Sequence, residues 1–407
     1  FLEYWAEHGE SMLVVATFRG EEVGAEESLR QLPAEKMVLE PLRPEQAEQL
    51  LLSCHPSAST TLRERAVKAA KGNPFSLLCH LRTGMLPSEL SVDRLAKVSP
   101  DLRAALEIAS VLGRQFSLRT VEGCLRRSVD LSQAFEEGFL GRPGENPVFS
   151  HDRIRDLILA SLHADRLSAL HLHVARYLAS HEPPNAFEVA YHFQAAGAAH
   201  EGFDFARRAA VEARDSHALT VAIFYLQAAL AGASQRSREE LQHLWSELGD
   251  CYRLTGHYEE ALEALDRSLQ LSHDKETRAR LQLNLGDVHF KQGELEKARD
   301  ALLVGLRILG ENPHKPLLLD FLWQAAICCL HTYLPSRCRL ETSGTTELLR
   351  ADFYNRLAYT EWFLSGPIPS IRAHLRELNL AERFAPTRTL ARARASHAIA
   401  MGSFPFW

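Results

Sequence analysis

The sequence predicts a mainly α-helical chain: a short α/β remnant, a small helical unit, a unit of three short helices and a strand, then a long α-α repeat superhelix. Three observations predict this. From Asp152 onward, apolar residues recur at helical spacing almost without interruption. A pattern of Leu, Gly, Asp and Ala positions returns 37 residues after its first appearance. Before Asp152, β-like runs are short, and only Met12–Phe18 has the continuous apolar character of a strand buried on both faces.

Composition bounds the function. The 407 residues suffice for two to four domains. Hydrophobic content of 46% and charged content of 24% are those of an ordinary globular protein. A net charge of −6 argues against a general nucleic-acid or membrane-surface binder, which needs a clustered positive surface. Seven cysteines without a CxxC spacing read as free thiols, as in a cytoplasmic protein, and not as zinc ligands. The chain begins at Phe1 with no basic-then-apolar leader and is read as a piece of a longer protein. Leu317–Leu334 is the most apolar stretch. Because it holds Asp320, Gln324 and His331, it is expected to be a buried helix of an array and not a membrane span.

Taken in order, Met12–Phe18 ends in Arg19, where open parallel sheets bind ligands, although Glu21 or Glu22 could simply pair with it. No G-x-x-x-x-G-K-[ST] follows any strand. Pro44 suits a first helical position, with Glu45 and Glu48 near the positive helix end. A second helix is expected from Thr61 to Lys71. Gly72-Asn73-Pro74 stops it, and Phe75–Leu81 resumes as an apolar helix. As it stands, Gly72-Asn73-Pro74 reads as a helix–helix turn.

Ser99-Pro100-Asp101 opens a helix to Leu112, and Leu118–Leu125 and Leu131–Phe139 are the next two. A turn over 141–147 leads to a strand at Val148-Phe149, which runs into a helix capped by Ser150 or Asp152. His151 at this junction can point into a neighbouring cleft. Three helices, a turn and a strand form a winged-helix pattern. Arg119, Arg126 and Arg127 could face DNA, but Glu122, Asp130, Glu136 and Glu137 share the unit, so DNA reading ranks last. His171 and His173 stand at i, i+2 and do not share a helix face, which disfavours a metal pair.

In the repeat, Trp245, Leu248, Gly249 and Tyr252 fall on one face, Gly256 turns the chain, and Ala261 and Leu265 face back. Leu285, Gly286, Gly293, Ala298 and Leu302 repeat the pattern. Small residues let paired helices approach, and one pair cannot bury its own face, so neighbours must stack. Neighbours are expected over Glu188–Ala210, Ala218–Leu230 and Leu357–Leu380; in the last, Ala358 replaces Gly and Ser370 replaces Ala.

These repeats resemble tetratricopeptide repeats. Thr17-Phe18-Arg19 resembles the sensor strand of an AAA+-type ATPase. Leu39–Leu42, the following helix and Gly72-Asn73-Pro74 resemble the helical lid of STAND signalling ATPases, and Phe149-Ser150-His151-Asp152 resembles the Met-His-Asp motif of their winged helix, with Ser150 replacing Met. The resemblance implies a core remnant at 1–32, a lid at 33–90, a winged helix at 91–165 and repeats at 166–407. It further implies that Arg19 senses the terminal phosphate of ATP, that Pro74 packs on adenine with Gly72 permitting close approach, and that His151 contacts the β-phosphate of ADP. ATP or ADP would bind only with an upstream P-loop core, so this chain alone should not hydrolyse ATP, and no catalytic or metal residue is assigned. A protein or small effector would dock on the repeat array, and the parent protein could self-associate. A constitutive tetratricopeptide adaptor is the alternative, and a winged-helix transcription regulator the lesser one.

Overall fold

The computed structural model describes residues 37, 39–54, 56, 59–74, 76–77, 97–141, 144, 146–181, 183–312, 316–333, 344–384 and 387–402. Arg19 and the expected strand at 12–18 lie outside the described residues, as does most of the expected helix Phe75–Leu81. The described residues are mainly helical, as expected, with a single two-stranded ladder. Two units are distinguished by their internal contacts, Phe1–Val98 with Gln133–Phe139, and Ser99–Ser132 with Leu140–Trp407.

In the first unit, α1 (Pro44–Cys54) and α2 (Thr60–Ala70) bury Ala47, Leu51, Ala66 and Ala70 together with Leu77. Ser59 caps α2 by accepting from Leu62 N–H. Residues 133–139 also belong to this unit.

The second unit opens with α3 (Pro100–Leu112), capped by Ser99, and α4 (Leu118–Leu125), capped by Ser117. The expected helix Leu131–Phe139 is shorter, α5 (Ser132–Glu136), and all but its first residue belongs to the first unit. It stops because Gly138 adopts φ +74°, a left-handed conformation that ends helices. Strands β1 (Leu140–Gly141) and β2 (Val148–Phe149) pair antiparallel. Phe149 N–H also donates to Arg114 O at 2.9 Å, and Phe116 N–H to Pro147 O at 3.2 Å, so β2 is held on both edges. Helix α6 (Asp152–Ser161) follows and packs on α3 and β2.

The array then runs through α7 (Ala164–Ala179), α8 (Ala186–Ala195), α9 (Ala199–Asp215), α10 (Leu219–Ala231), α11 (Arg238–Thr255), α12 (Tyr258–Leu271), α13 (Lys275–Lys291), α14 (Leu295–Ile308), α15 (Leu317–Tyr333), α16 (Thr345–Leu364), α17 (Pro367–Ala381) and α18 (Arg388–Gly402). Extensively packed pairs are α9/α10, α11/α12, α13/α14 and α16/α17. The 37-residue period has a direct physical basis. A Cβ on Gly249 would stand 2.8 Å from Leu265 Cγ, and one on Gly286 would stand 2.9 Å from Leu302 Cγ. Each glycine lets its helix close onto a fully buried leucine of its pair, worth about 1.5–3 kcal/mol per side chain. In the degenerate pair, Ser370 stands where Ala was expected, and its buried hydroxyl is satisfied by donating to Ala358 O at 2.7 Å.

One expectation is corrected. Helix α15 is not buried in the array: Leu318, Leu319, Leu322 and Trp323 are each more than 60% exposed, at 64%, 68%, 63% and 65%. It packs on α17, through the polar residues described below together with Cys328, which lies against Leu378 and Ala381. Among the described residues, no helix is long and apolar enough to cross a membrane.

Candidate functional site

The sequence singles out Gly72, Pro74 and His151, which the structure places in two separate units. Helix α2 ends in two successive left-handed residues, Lys71 at φ 48° and Gly72 at φ 78°. Gly72 O accepts from Leu42 N–H at 2.8 Å. A Cβ here would lie 2.6 Å from Leu42 O and 2.7 Å from Pro41 Cβ. Glycine is therefore required for the turn to touch residues 41–42, whatever else the turn does. Asn73 Oδ1 then accepts from Ser76 N–H at 3.1 Å, and exposed Pro74 takes the first position of the next helical turn.

The cap of α6 differs from expectation. Neither Ser150 nor Asp152 supplies it: His151 itself is the N-cap, with φ −150° and ψ 142°, and its Nδ1 accepts from Arg153 N–H at 3.2 Å. An accepting Nδ1 fixes the neutral ring as the tautomer with its proton on Nε2. Asp152 is engaged instead with Arg114 at 3.4 Å. As donor chemistry, an imidazole N–H at a helix N-terminus suits a phosphate oxygen, and an exposed proline ring suits the face of a base. The space at Gly72 is filled by protein backbone, so that residue shapes the turn and forms no ligand cradle of its own.

Three polar contacts tie the His151 helix and the first array helix to the three-helix unit. Arg155 Nε donates to Ser110 O at 2.8 Å, Arg166 grips Glu107 at 3.0 and 3.2 Å, and His173 Nε2 donates to Cys124 O at 2.7 Å. Helix α7 crosses α4 closely enough that a Cβ on Gly123 would overlap the Tyr177 hydroxyl at 2.0 Å. His171, two residues from His173, faces the other way. It pairs with His192 on α8, Nδ1 to Nδ1 at 2.9 Å, with one ring donating and the other accepting. Both rings are buried. Burial, then the neighbouring Arg155 charge, lowers the pKa of His171; burial, then His171 itself, lowers His192 to about 4. Among the described residues, no group of three metal-capable side chains gathers.

The repeats add a feature the sequence reading missed. The first helices of successive pairs are joined by an ion ladder. Arg214 on α9 meets Glu247 on α11 at 2.7 Å. Asp250 on α11 accepts from Asn284 on α13 at 2.8 Å and pairs with Arg253 at 3.3 Å. Arg253 also reaches Asp287 on α13 at 2.8 Å, and Asp287 meets Arg356 on α16 at 3.2 Å. Asp287 is buried; Asp250 is half-buried, and burial raises its pKa against the opposing pull of Arg253. The signal lay in the repeat itself, since Asp250 and Asp287 follow Gly249 and Gly286 at the 37-residue spacing. On the opposite side of α11, Trp245, Leu248 and Tyr252 floor a slot of about 260 Å³ between α10 and α12. Gln227 donates to the Tyr252 hydroxyl at 2.7 Å, and Glu260 and Glu263 stand at the slot's edge.

The tetratricopeptide repeat family matches residues 240–311, which span the pairs α11/α12 and α13/α14. No curated protein matches the chain. Among solved structures, similarity is found to a signal transduction ATPase with numerous domains (STAND) with a tetratricopeptide repeat sensor, from Pyrococcus horikoshii. The identity is 14% and the TM-score 0.42, over 89% of this chain and 57% of that one. The chain thus spans a little over half the length of that protein.

Proposed function

We propose that this chain is the regulatory portion of a nucleotide-switched signal-transduction ATPase. Residues 33–90 serve as the lid and 91–165 as the winged helix, and the repeats from 166 onward sense a protein or small effector. The observation that carries the reading is the continuity between His151 and the array. Helix α6, which His151 caps, packs on α3, and α7, the first array helix, packs on both α3 and α4. A partner that favours one arrangement of the first-helix face therefore biases the position of the His151 ring through packed helices, in the manner of any two-state coupling. Pro74 would meet adenine, and the His151 Nε2–H a phosphate oxygen. The nucleotide supplies the switch, and an upstream P-loop core would hold it.

The test separates the two roles of His151. In the P-loop-bearing parent protein, His151→Asn keeps a good helix cap and removes the imidazole. Reduced co-purified ADP and raised basal output, with unchanged thermal stability, are the expected results; unchanged ADP and output would refute the reading. The constitutive adaptor is the rival, since tetratricopeptide repeats commonly hold protein partners. Partner affinity that is the same with ATP, with ADP and without nucleotide would favour it.

A further inference from the structure

Helix α15 is amphipathic in the reverse sense. Asp320, Gln324 and His331 fall within about 40° of one another around the helix axis, and this polar stripe points inward. Asp320 is buried and accepts from Arg376 Nε and Nη2, each at 2.8 Å. Asn379 Nδ2 donates to Gln324 Oε1 at 2.9 Å, and His331 Nδ1 lies 2.9 Å from Glu382. The register is regular: the three polar residues of α15 meet Arg376 and Asn379 in the second half of α17 and Glu382 just beyond its end. The opposite face carries Leu318, Leu319, Leu322, Trp323 and Leu330, all more than half exposed. A helix that buries its acid and presents its leucines and tryptophan is built to be covered on the outer side.

The chemistry of the face selects its occupant. Asp320 is the only charged residue of α15, so the face offers nothing to an acidic or basic partner. With no Lys or Arg, it also lacks the cations that hold amphipathic helices at an anionic membrane surface. Its side chains are self-complementary when two copies run antiparallel about a twofold axis at position 324. Leu318 then meets Leu330, Leu319 meets Cys329, and Leu322 sits over Ala326. The larger residues of the first half thus face mostly smaller ones of the second. Ala326 and Cys329 are exposed on the same side, as this pairing requires. The four leucines and the tryptophan present on the order of 500 Å² per copy, judged from the areas that such side chains bury. Joining two faces removes on the order of 1,000 Å², near the lower bound for a specific protein interface.

We propose that the outward face of α15 is a homodimer interface, two copies of this helix packing antiparallel in an isologous contact. It stands independently of the nucleotide reading, because it uses neither His151 nor the lid. An interface near that bound belongs to the weak, transient class, for which a dissociation constant on the order of 10 µM is the working value of the test below.

The 407-residue chain is examined by sedimentation velocity from about 1 to 200 µM, a range that brackets that constant. The expected result is a monomer–dimer equilibrium. Leu322→Glu and Trp323→Glu each raise the dissociation constant at least about thirtyfold, roughly 2 kcal/mol. Their circular dichroism and melting temperature stay unchanged, since both side chains already project outward. A second variant tests the register. Leu319→Cys, under mild oxidation by diamide, links to Cys329 of the partner as a covalent dimer, and adding Cys329→Ser abolishes the link. A chain that stays monomeric throughout overturns the proposal. So does a dimer indifferent to both glutamates, or a cross-link indifferent to Cys329→Ser. A monomer that floats with phosphatidylcholine vesicles through Trp323 would assign the face to lipid, and would equally overturn it.

Discussion

Removing Asp320 should undock α15 from the array. Its carboxylate is buried and accepts two bonds from Arg376, while Arg372 approaches at 3.9 Å. Removing one partner of such a pair strands a buried charge and costs about 3–5 kcal/mol. Arg376 keeps a hydrogen bond to the Tyr354 hydroxyl and an ion pair with Glu311 at 3.7 Å, which places Asp320→Ala near the lower end, about 3 kcal/mol. The loss is local, so the assay is hydrogen exchange of residues 317–333, whose amides should exchange about 100-fold faster with the rest of the array unaffected. The double variant Asp320→Leu/Arg376→Met should regain most of the protection, because an apolar pair leaves no stranded charge. The pH dependence has a definite sign. Burial pushes the Asp320 pKa up, but the hydrogen bonds and charge of Arg376 outweigh it and hold the group below its ordinary 3.8. Its contribution is therefore present in full above about pH 4 and lost as pH falls through the depressed value. Unchanged exchange in Asp320→Ala would refute the reasoning, as would acid sensitivity that persists in the double variant.

Gly249→Ala and Gly286→Ala should each lower the melting temperature by a similar amount, at about 1–3 kcal/mol of overpacking against Leu265 and Leu302, as read by circular dichroism. Gly123→Ala should loosen α4 from α7, seen as faster exchange over 118–125, because its methyl group would occupy the position of the Tyr177 hydroxyl. The His171–His192 pair should make the array acid-labile. With His192 lowered from 6.5 to about 4, the unfolded chain binds more protons, so stability is complete above pH 6.5 and falls by roughly 2–3 kcal/mol toward pH 4. Urea denaturation of a His171→Leu/His192→Leu variant should show a flatter pH slope. Asp287→Ala should weaken the packing of α11, α13 and α16 on one another, measured as faster exchange in all three helices at once.

Much of the architecture could be read from the sequence because its signals are local. Ser99 announced the start of α3, and the recurrence of Gly249 and Leu265 at Gly286 and Leu302 encoded the pair geometry. What escaped depends on distant residues. The outer face of α15 looked buried because its composition is apolar. Arg376, Asn379 and Glu382, each more than 50 positions away from its partner, turn the polar stripe inward. The ion ladder was foreshadowed by the repeated Asp, but its partners Arg253, Asn284 and Arg356 lie on different helices. The cap expected of Ser150 or Asp152 is made by His151, since capping preferences favour Ser and Asp and pass over an imidazole nitrogen that can also accept. At Gly72 the turn was legible, whereas the contact that demands glycine, with Pro41 and Leu42, was not.

The measurement that bears most directly on the nucleotide-switch reading is the ADP content of the parent protein, purified as wild type and as His151→Asn, with thermal stability recorded alongside. The switch predicts that ADP retention falls severalfold in the variant while stability holds. Equal ADP content in both proteins, with equal stability, would contradict it and leave the repeat array as a constitutive protein-binding surface.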